Sequence, residues 1–420
     1  MRFKTLDAWL DWQSGLHPAA IDLGLERVSS VWQRLGGRLA CPVVTVAGTN
    51  GKGSSVAMLE AIWRAAGYRT ASFTSPHLHR YNERIQLRGE PVEDAVIIDA
   101  FERIDQARGA ISLTYFEFGT LAALDIFSRT EADIVILETG LGGHLDAVNI
   151  IDADIALITT IGIDHVDWLG HDRDQIALEK AGILRTGRAA VCSDPRPPAS
   201  LLDKAAELGA PLHLYQRDFS AEAAPGGWCW RMGGQLRAAL PIPALRGDYQ
   251  IQNAAGVLTV VQLLEARLPA SQEAIRDGLG NVALAGRFEV FPGEPVIILD
   301  VAHNVQAVGA LRDTLAKYPC KGRTLGVFSA LRDKQLAEML GLMDASLDRW
   351  YPAGLNDPRG LDGGAIASLL AKHAESECAL PREHIAEALN DARRDAGEND
   401  CILVFGSFLS VAEARQTLEN

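Results

Sequence analysis

The chain has 420 residues, a formal net charge of −14, 48% hydrophobic and 22% charged residues. That length exceeds one ordinary domain, so two are expected, each able to bury its own core. The acidic balance argues against nucleic acid or an anionic membrane surface as partner, yet leaves anionic small molecules open, because a local site can be basic within an acidic protein.

The opening segment, MRFKTLDAWLDWQ, lacks the apolar core and small-residue cleavage site of a secretory signal. No apolar run is long enough to span a bilayer. Cys41, Cys192, Cys229, Cys320, Cys378 and Cys401 are scattered without a CxxC pair, which reads as reduced thiols in a cytoplasmic protein rather than a zinc site. The first expected strand, Val43–Ala47, feeds the glycine loop Gly48-Thr-Asn-Gly-Lys-Gly-Ser54 and then a helix over Val56–Ala66. Strand, glycine loop and helix form a phosphate cradle: backbone N–H groups converge on anionic oxygens, the helix start adds partial positive charge, and Lys52 a full one. The loop is not a strict Walker A, since Gly53 separates Lys52 from the hydroxyl of Ser54. A glycine turn merely joining strand to helix is the plain alternative. The added lysine and hydroxyl favour a nucleoside triphosphate.

Further strands are expected at Thr70–Thr74, Ile134–Glu138, Ile155–Thr160 and Ala189–Cys192. Their carboxyl ends, where ligands of open parallel sheets collect, carry polar groups. Thr74-Ser75-Pro76-His77 precedes a charged loop, Arg80–Arg84; Glu138 enters Gly140-Leu-Gly-Gly143; and Asp164-His165 follows the fourth strand. Ser75, Glu138 and His165 together suit Mg²⁺ held against nucleotide phosphates, although each alone reads as readily as a cap, turn or loop residue. The stretch from Gln175 to Leu184 reads as a short amphipathic helix ending near Gly182, with Lys180 as a solvated lysine beside Glu179. From Pro195 to Pro243 the texture changes to proline clusters and then short antiparallel strands around Gly226–Arg237. Helices return at Gln250–Leu264 and Ser271–Gly278.

A second alternating series follows a boundary at Ala285–Phe288. Its strands are Val296–Asp300, Thr324–Phe328, Arg349–Tyr351 and Cys401–Phe405, and its helices are Val305–Lys317, Asp333–Leu342, Gly363–His373 and Arg382–Ala396. Repeated strand–helix units imply parallel sheets covered on both faces. Arg287 at the boundary could reach a phosphate and Asp300 a ribose hydroxyl; a linker arginine and a strand-ending turn are the plain readings.

GTNGKGS, SPHL, ETGLGGHLDAVN, DHVDWLG, EKAGI, GRFE, DVAHN and VFGSF occur in this order. Across Asp22–Phe408 the chain resembles the folylpolyglutamate synthase family of the Mur ligase superfamily. DLGLERV at Asp22–Val28 and LTYFE at Leu113–Glu117 resemble the bifunctional bacterial branch, which also makes dihydrofolate. The resemblance implies an α/β fold, with an N-terminal phosphate-loop ATPase domain over residues 1–286 and a smaller Rossmann-like domain over 287–420. It implies an ATP-dependent ligase joining L-glutamate to dihydropteroate and to tetrahydrofolates, a monomer acting on small molecules. By motif, Thr49, Asn50, Gly51, Lys52, Ser54, Asn253, Arg287 and Asp300 match nucleotide contacts, with His303 near the nucleotide or glutamate site. Ser75, Glu138 and His165 match Mg²⁺ ligands. Asp22, Leu23, Gly24, Thr114, Tyr115, Phe116, Glu117, Leu145, Asp146 and Ala147 match dihydropteroate contacts. Lys180 matches a lysine that the family carbamylates, and the resemblance also allows a second Mg²⁺ and a monovalent cation. Lys52, Lys180 and His165 carry the implied catalytic roles.

Two positions depart from the family pattern: His144 stands where arginine is usual, and Val148 where threonine is. The chemistry implied is an acyl phosphate. A carboxylate is a poor acyl donor until a phosphoryl group supplies a good leaving group, and Mg²⁺ and Lys52 would offset the charge that gathers. Domain closure would exclude water from the intermediate. A ligase of nucleotide-linked peptidoglycan precursors would share GTNGK and DVAHN but not LTYFE or DLGLERV. A phosphate-loop switch or motor, or a nonenzymatic nucleotide-binding module, leaves GRFE, DVAHN and the metal set without a role.

Overall fold

A computed structural model describes residues 2–419, which divide into two compact units. The first holds the residues up to Gly162, then Val166–Ala244 and Ile251–Val282; the second holds Ile163–His165, Leu245–Gln250 and everything from Ala283 onward.

The first unit is built on an eight-stranded sheet: β1 (Val43–Ala47), β2 (Thr70–Phe73), β3 (Ile85–Leu87), β4 (Glu90–Pro91), β5 (Ile134–Glu138), β6 (Ile155–Ile158), β7 (Ala190–Cys192) and β8 (Leu212–Leu214). Their order is β4-β3-β2-β5-β1-β6-β7-β8. Pairing is parallel from β2 through β8 and antiparallel at β2–β3 and β3–β4. β1 and β5 are buried along their whole length, as expected of parallel strands covered on both faces. The chain leaves β1 toward β2 on one side and leaves β5 for β6 on the other, so connections diverge and open a crevice at the carboxyl ends.

One face packs an aromatic core. Trp9, on the helix Leu6–Ser14, lies 5.8 Å from the ring of Phe101 and 6.3 Å from Phe118. The change of texture after Pro195 resolves into a helix, Ala199–Leu208, followed by β8 and a separate antiparallel sheet of β9 (Phe219–Ala224), β10 (Gly227–Met232) and β11 (Gln235–Leu240). The antiparallel strands were legible; the helix after the prolines was not.

The second unit contains β12 (Glu289–Phe291), β13 (Val296–Leu299), β14 (Thr324–Phe328), β15 (Arg349–Pro352), β16 (Glu377–Cys378) and β17 (Cys401–Phe405), in the order β12-β13-β17-β14-β15-β16. All pairs are parallel except β12–β13. The expectation of parallel sheets therefore fails at one edge of each of these two sheets. Short hairpins return the chain there because an edge strand needs only one partner and no crossover helix. The helix expected at Asp333 begins at Leu336, since Lys334 is turned to an ion pair described below.

Candidate active site

The phosphate loop joins β1 to the helix Lys52–Ala65. Gly51 at the helix start has φ 88°, a conformation side chains rarely adopt, and a Cβ there would stand 2.6 Å from Oδ1 of Asn253. The loop is held from the neighbouring strand end. Thr49 N donates to Thr160 O (2.7 Å), Thr49 Oγ1 to Gly162 O (3.0 Å), and Thr159 Oγ1 to Asn50 O (2.6 Å). Lys52 Nζ folds onto the Gly48 and Thr49 carbonyls, at 3.0 and 3.4 Å. Ser54 is buried in the first helical turn. Thr49, Asn50, Gly51, Lys52, Ser54 and Asn253 thus share one corner of the first unit.

Glu138 ends β5 opposite Val46 of β1, and it is buried. Ser75 lies two residues past β2, the other neighbour of β5, and its N–H donates to Glu138 Oε2 at 3.3 Å. A hydroxyl and a carboxylate at adjacent strand ends beside a phosphate loop are hard oxygen donors of the kind Mg²⁺ takes, phosphates and water completing its shell. His165 belongs to the second unit. Among the described residues, no three His, Cys, Asp or Glu side chains group in a metal-holding arrangement.

The loop after β5 is organised by Asp146. Its carboxylate accepts from Gly140 N (2.9 Å), Leu141 N (2.8 Å) and Val148 N (3.0 Å). Burial outweighs these bonds and the nearby Lys52 charge, pushing the carboxyl up to about 6. Leu145 is exposed and Ala147 buried beside it. His144, the departure from the family pattern, is exposed and donates its N–H to Glu179 O (2.8 Å); Val148 is fully buried. The helix Arg173–Ala181 packs so closely that a Cβ on Gly143 would lie 2.8 Å from Glu179 O and 3.2 Å from Cα of Lys180. Lys180 itself is 2% exposed. The solvated-lysine reading is therefore wrong: its own helix face turns inward onto this loop.

Two of the expected acceptor-binding segments meet through a residue that sequence reading passed over. Arg27 bonds Asp22 (Nη1 to Oδ2, 2.6 Å; Nη2 to the carbonyl, 2.7 Å) and Glu117 Oε1 (2.9 Å). Glu117 and Thr114 also cap the helix Tyr115–Ser128 reciprocally, Thr114 N to Glu117 Oε2 at 2.7 Å and Glu117 N to Thr114 Oγ1 at 3.2 Å. The capping pattern T-x-x-E and an arginine inside DLGLERV were the available signals. Leu23 and Gly24 lie half-buried before the helix Glu26–Arg34. Tyr115 and Phe116 open the capped helix, Phe116 5.9 Å from the ring of Phe73.

In the second unit, Asp164 is the hub. Oδ1 accepts from His165 N (2.8 Å) and Lys334 Nζ (2.7 Å), and Oδ2 from Asn304 Nδ2 (3.0 Å), with His303 Nε2 at 3.6 Å. Burial alone would raise this carboxyl, but the His303 bond and the His165 and Lys334 charges hold it far below the carboxylate range. Lys334 was not foreseen; its place just beyond the end of β14 was the signal. Asp300 is buried, with its oxygens on the N–H groups of Phe288 and Ala302, both at 2.8 Å. Burial raises it against the pull of Arg287. Arg287 lies 5.1 Å over the ring of Phe408. Arg287, Asp300 and His303 therefore gather in one neighbourhood of this unit.

The Mur ligase middle domain matches residues 46–218 and the Mur ligase glutamate ligase domain residues 286–408. The chain is 41% identical to the dihydrofolate synthase/folylpolyglutamate synthase of Escherichia coli (strain K12), over 99% of this chain and 96% of that one. It is 30% identical to that of Mycobacterium tuberculosis, covering 94% and 90%. Among solved structures, Escherichia coli FolC in complex with DHPP and ADP superposes with a TM-score of 0.93 at 41% identity, over 99% of this chain and 98% of that one. A bifunctional folylpolyglutamate synthase/dihydrofolate synthase with Mn, AMPPNP and L-glutamate bound gives 0.91 at 42%, over 99% and 98%. The Yersinia pestis protein with AMPPNP and Mn gives 0.92 at 43%, again over 99% and 98%.

Proposed function

The chain belongs to the dihydrofolate synthase/folylpolyglutamate synthase family of Mur ligases, and from that premise we propose that it ligates L-glutamate to dihydropteroate and to reduced folates at the expense of ATP. The carrying observation is the phosphate loop and the Ser75–Glu138 pair at the carboxyl ends of β1, β2 and β5, with the helix that carries the buried Lys180 packed on the loop that follows β5. Relatives that bind ADP, AMPPNP, Mn, DHPP and L-glutamate support it.

An oxygen of the acceptor carboxylate attacks the γ-phosphorus of ATP; the bond to the bridging oxygen breaks and ADP leaves. The neutral amine of glutamate then attacks the carbonyl carbon of the acyl phosphate. The C–O bond breaks, phosphate departs, and the nitrogen gives up a proton. Lys52 exchanges its two carbonyl contacts for phosphate oxygens and offsets charge during phosphoryl transfer. The loop N–H groups and the helix start orient the triphosphate. Ser75 and Glu138 would hold a divalent cation, with His165 as the third ligand; when bound, that ion neutralises phosphate charge. Asn253, Arg287, Asp300 and His303 serve the nucleotide. Asp22–Gly24, Thr114–Glu117 and Leu145–Ala147 bound the acceptor. Asp146 and Glu117 act through the loops they hold, since their oxygens are engaged by backbone and Arg27.

Lys180 is assigned as a carbamate. An ammonium beside a divalent cation would be disfavoured; the neutral amine would add carbon dioxide and release a proton, and the resulting carbamate oxygens would suit a second Mg²⁺, with a monovalent cation completing the proposed set. The reading extends to a monomeric, cytoplasmic enzyme whose domains are 1–286 and 287–420. Product chromatography tests it: ADP release should require both acceptor and glutamate, yielding dihydrofolate from dihydropteroate and an extended chain from tetrahydrofolate. Extension of tetrahydrofolate with no dihydrofolate would refute the bifunctional reading.

A further inference from the structure

The charged turn after SPHL has no part in the mechanism above, yet the fold delivers it to the same edge of the first unit. Tyr81–Arg84 forms a single 3₁₀ turn, and β3 then runs back along β2 with Ile85 opposite Phe73. Thr74 N donates to Arg84 O at 2.9 Å. Arg84 is thereby fixed beside the residue that precedes Ser75. Its guanidinium lies 5.5 Å over the ring of Tyr81 and 5.7 Å over that of Tyr115, two rings packed edge-on 5.8 Å apart.

Arg84 meets no carboxylate among the described residues. Nε donates to Nδ1 of His77 at 2.8 Å, while both Nη groups lack a hydrogen-bond partner from the described residues and the aromatic faces use none of their protons. Glu83, the adjacent acid, is committed elsewhere: its oxygens accept from the N–H groups of Leu78, His79 and Arg80, at 2.7, 2.9 and 2.8 Å. The outcome is an oriented, half-buried cation with Nη donors not engaged by the described residues, backed by Tyr115 of the expected acceptor segment and bonded through its carbonyl to Thr74, the residue before Ser75.

We propose that Arg84 seats the carboxylate of the acceptor, its two Nη groups gripping the two oxygens side by side while Tyr115 flanks the group that carries them. This deepens the ligase reading and rests on it. A planar fork matches a planar carboxylate in a way a lysine cannot. Its charge also lowers the repulsion between that carboxylate and the triphosphate it must approach.

Deleting the carboxylate from the ligand, as well as the arginine from the protein, separates recognition from architecture. Dihydropteroate and the same pterin–aniline molecule without its carboxylate are titrated against the full chain, its Arg84→Gln variant, which keeps reach along the two rings, and Arg84→Lys. Arg84→Gln should weaken dihydropteroate by roughly tenfold to a hundredfold, as loss of a charge-assisted pair does, and leave the decarboxylated analogue within about twofold. Arg84→Lys should recover only part of that loss, and the KM for ATP should hold in both variants. Equal losses for the two ligands, or no loss for either, would overturn the proposal. If the unsubstituted chain, given ATP and glutamate, neither makes dihydrofolate from dihydropteroate nor extends tetrahydrofolate, the ligase reading falls instead, on evidence independent of the Arg84 titrations.

Discussion

Single residues here are decided by how much room and charge the strand ends leave them. Lys52 rests on two carbonyls 3.0 and 3.4 Å away. Lys52→Ala and Glu138→Ala should each lower kcat by about a hundredfold or more with the fold retained; steady-state kinetics on variants with unchanged circular dichroism checks this, and near-normal turnover would remove the assigned role. Lys180 is a sharper case. Lys180 is only 2% exposed, on a helix packed against the loop that follows Glu138. Lys180→Ala should lose most activity, with partial recovery in concentrated acetate. If the variant keeps full turnover, the residue is structural only.

At the scale of elements, the acceptor segments are held by an arginine and a cap rather than by their own chain. Arg27 ties the turn before one helix to the first turn of another, 90 residues away. Glu117→Ala removes a reciprocal cap and leaves Arg27 with Asp22 alone. It should cost about 1–2 kcal/mol of stability and raise the KM for dihydropteroate more than that for ATP, measured by thermal unfolding and initial rates. In the second unit, Asp344 ends the helix Leu336–Asp344 and receives Glu375 N (2.7 Å) and Trp350 Nε1 (2.8 Å), pinning the approach to β16. Burial would raise its carboxyl, but these bonds outweigh that and hold it low. A depressed native value means stability that is present above the unfolded value of about 4 and is lost as pH falls toward and through the native one. Asp344→Asn should therefore be less stable at neutral pH and show a shallower loss in acid, a comparison made by denaturant titration between pH 3 and 7.

For the whole molecule, the proposed reading assigns nucleotide contacts by motif to Thr49–Ser54, Asn253, Arg287, Asp300 and His303. Arg287→Ala should raise the KM for ATP by about tenfold, the loss of one charged contact, and leave dihydropteroate titration unchanged. An unchanged KM for ATP would separate the second unit's arginine from the nucleotide. The acidic net charge of −14 places no bar on this, because the anions would be met by local cations such as Lys52 and Arg84.

The sequence by itself determined the phosphate loop and the alternating strands and helices. Glycine placement, apolar runs and turn residues act over a few neighbours, and so Val43–Ala47, Ile134–Glu138, Thr324–Phe328 and Cys401–Phe405 were read to the residue. Only the tertiary structure decided what those elements bring together. The burial of Lys180 depends on a helix meeting a glycine loop nearly forty residues earlier. The Arg27–Glu117 and Lys334–Asp164 pairs span 90 and 170 residues. The fate of Arg84 depends on a hairpin edge that breaks the parallel pattern. Periodicity records which face of an element is apolar; it does not record which distant charge that face will meet, because that is set by packing and by where the chain reverses.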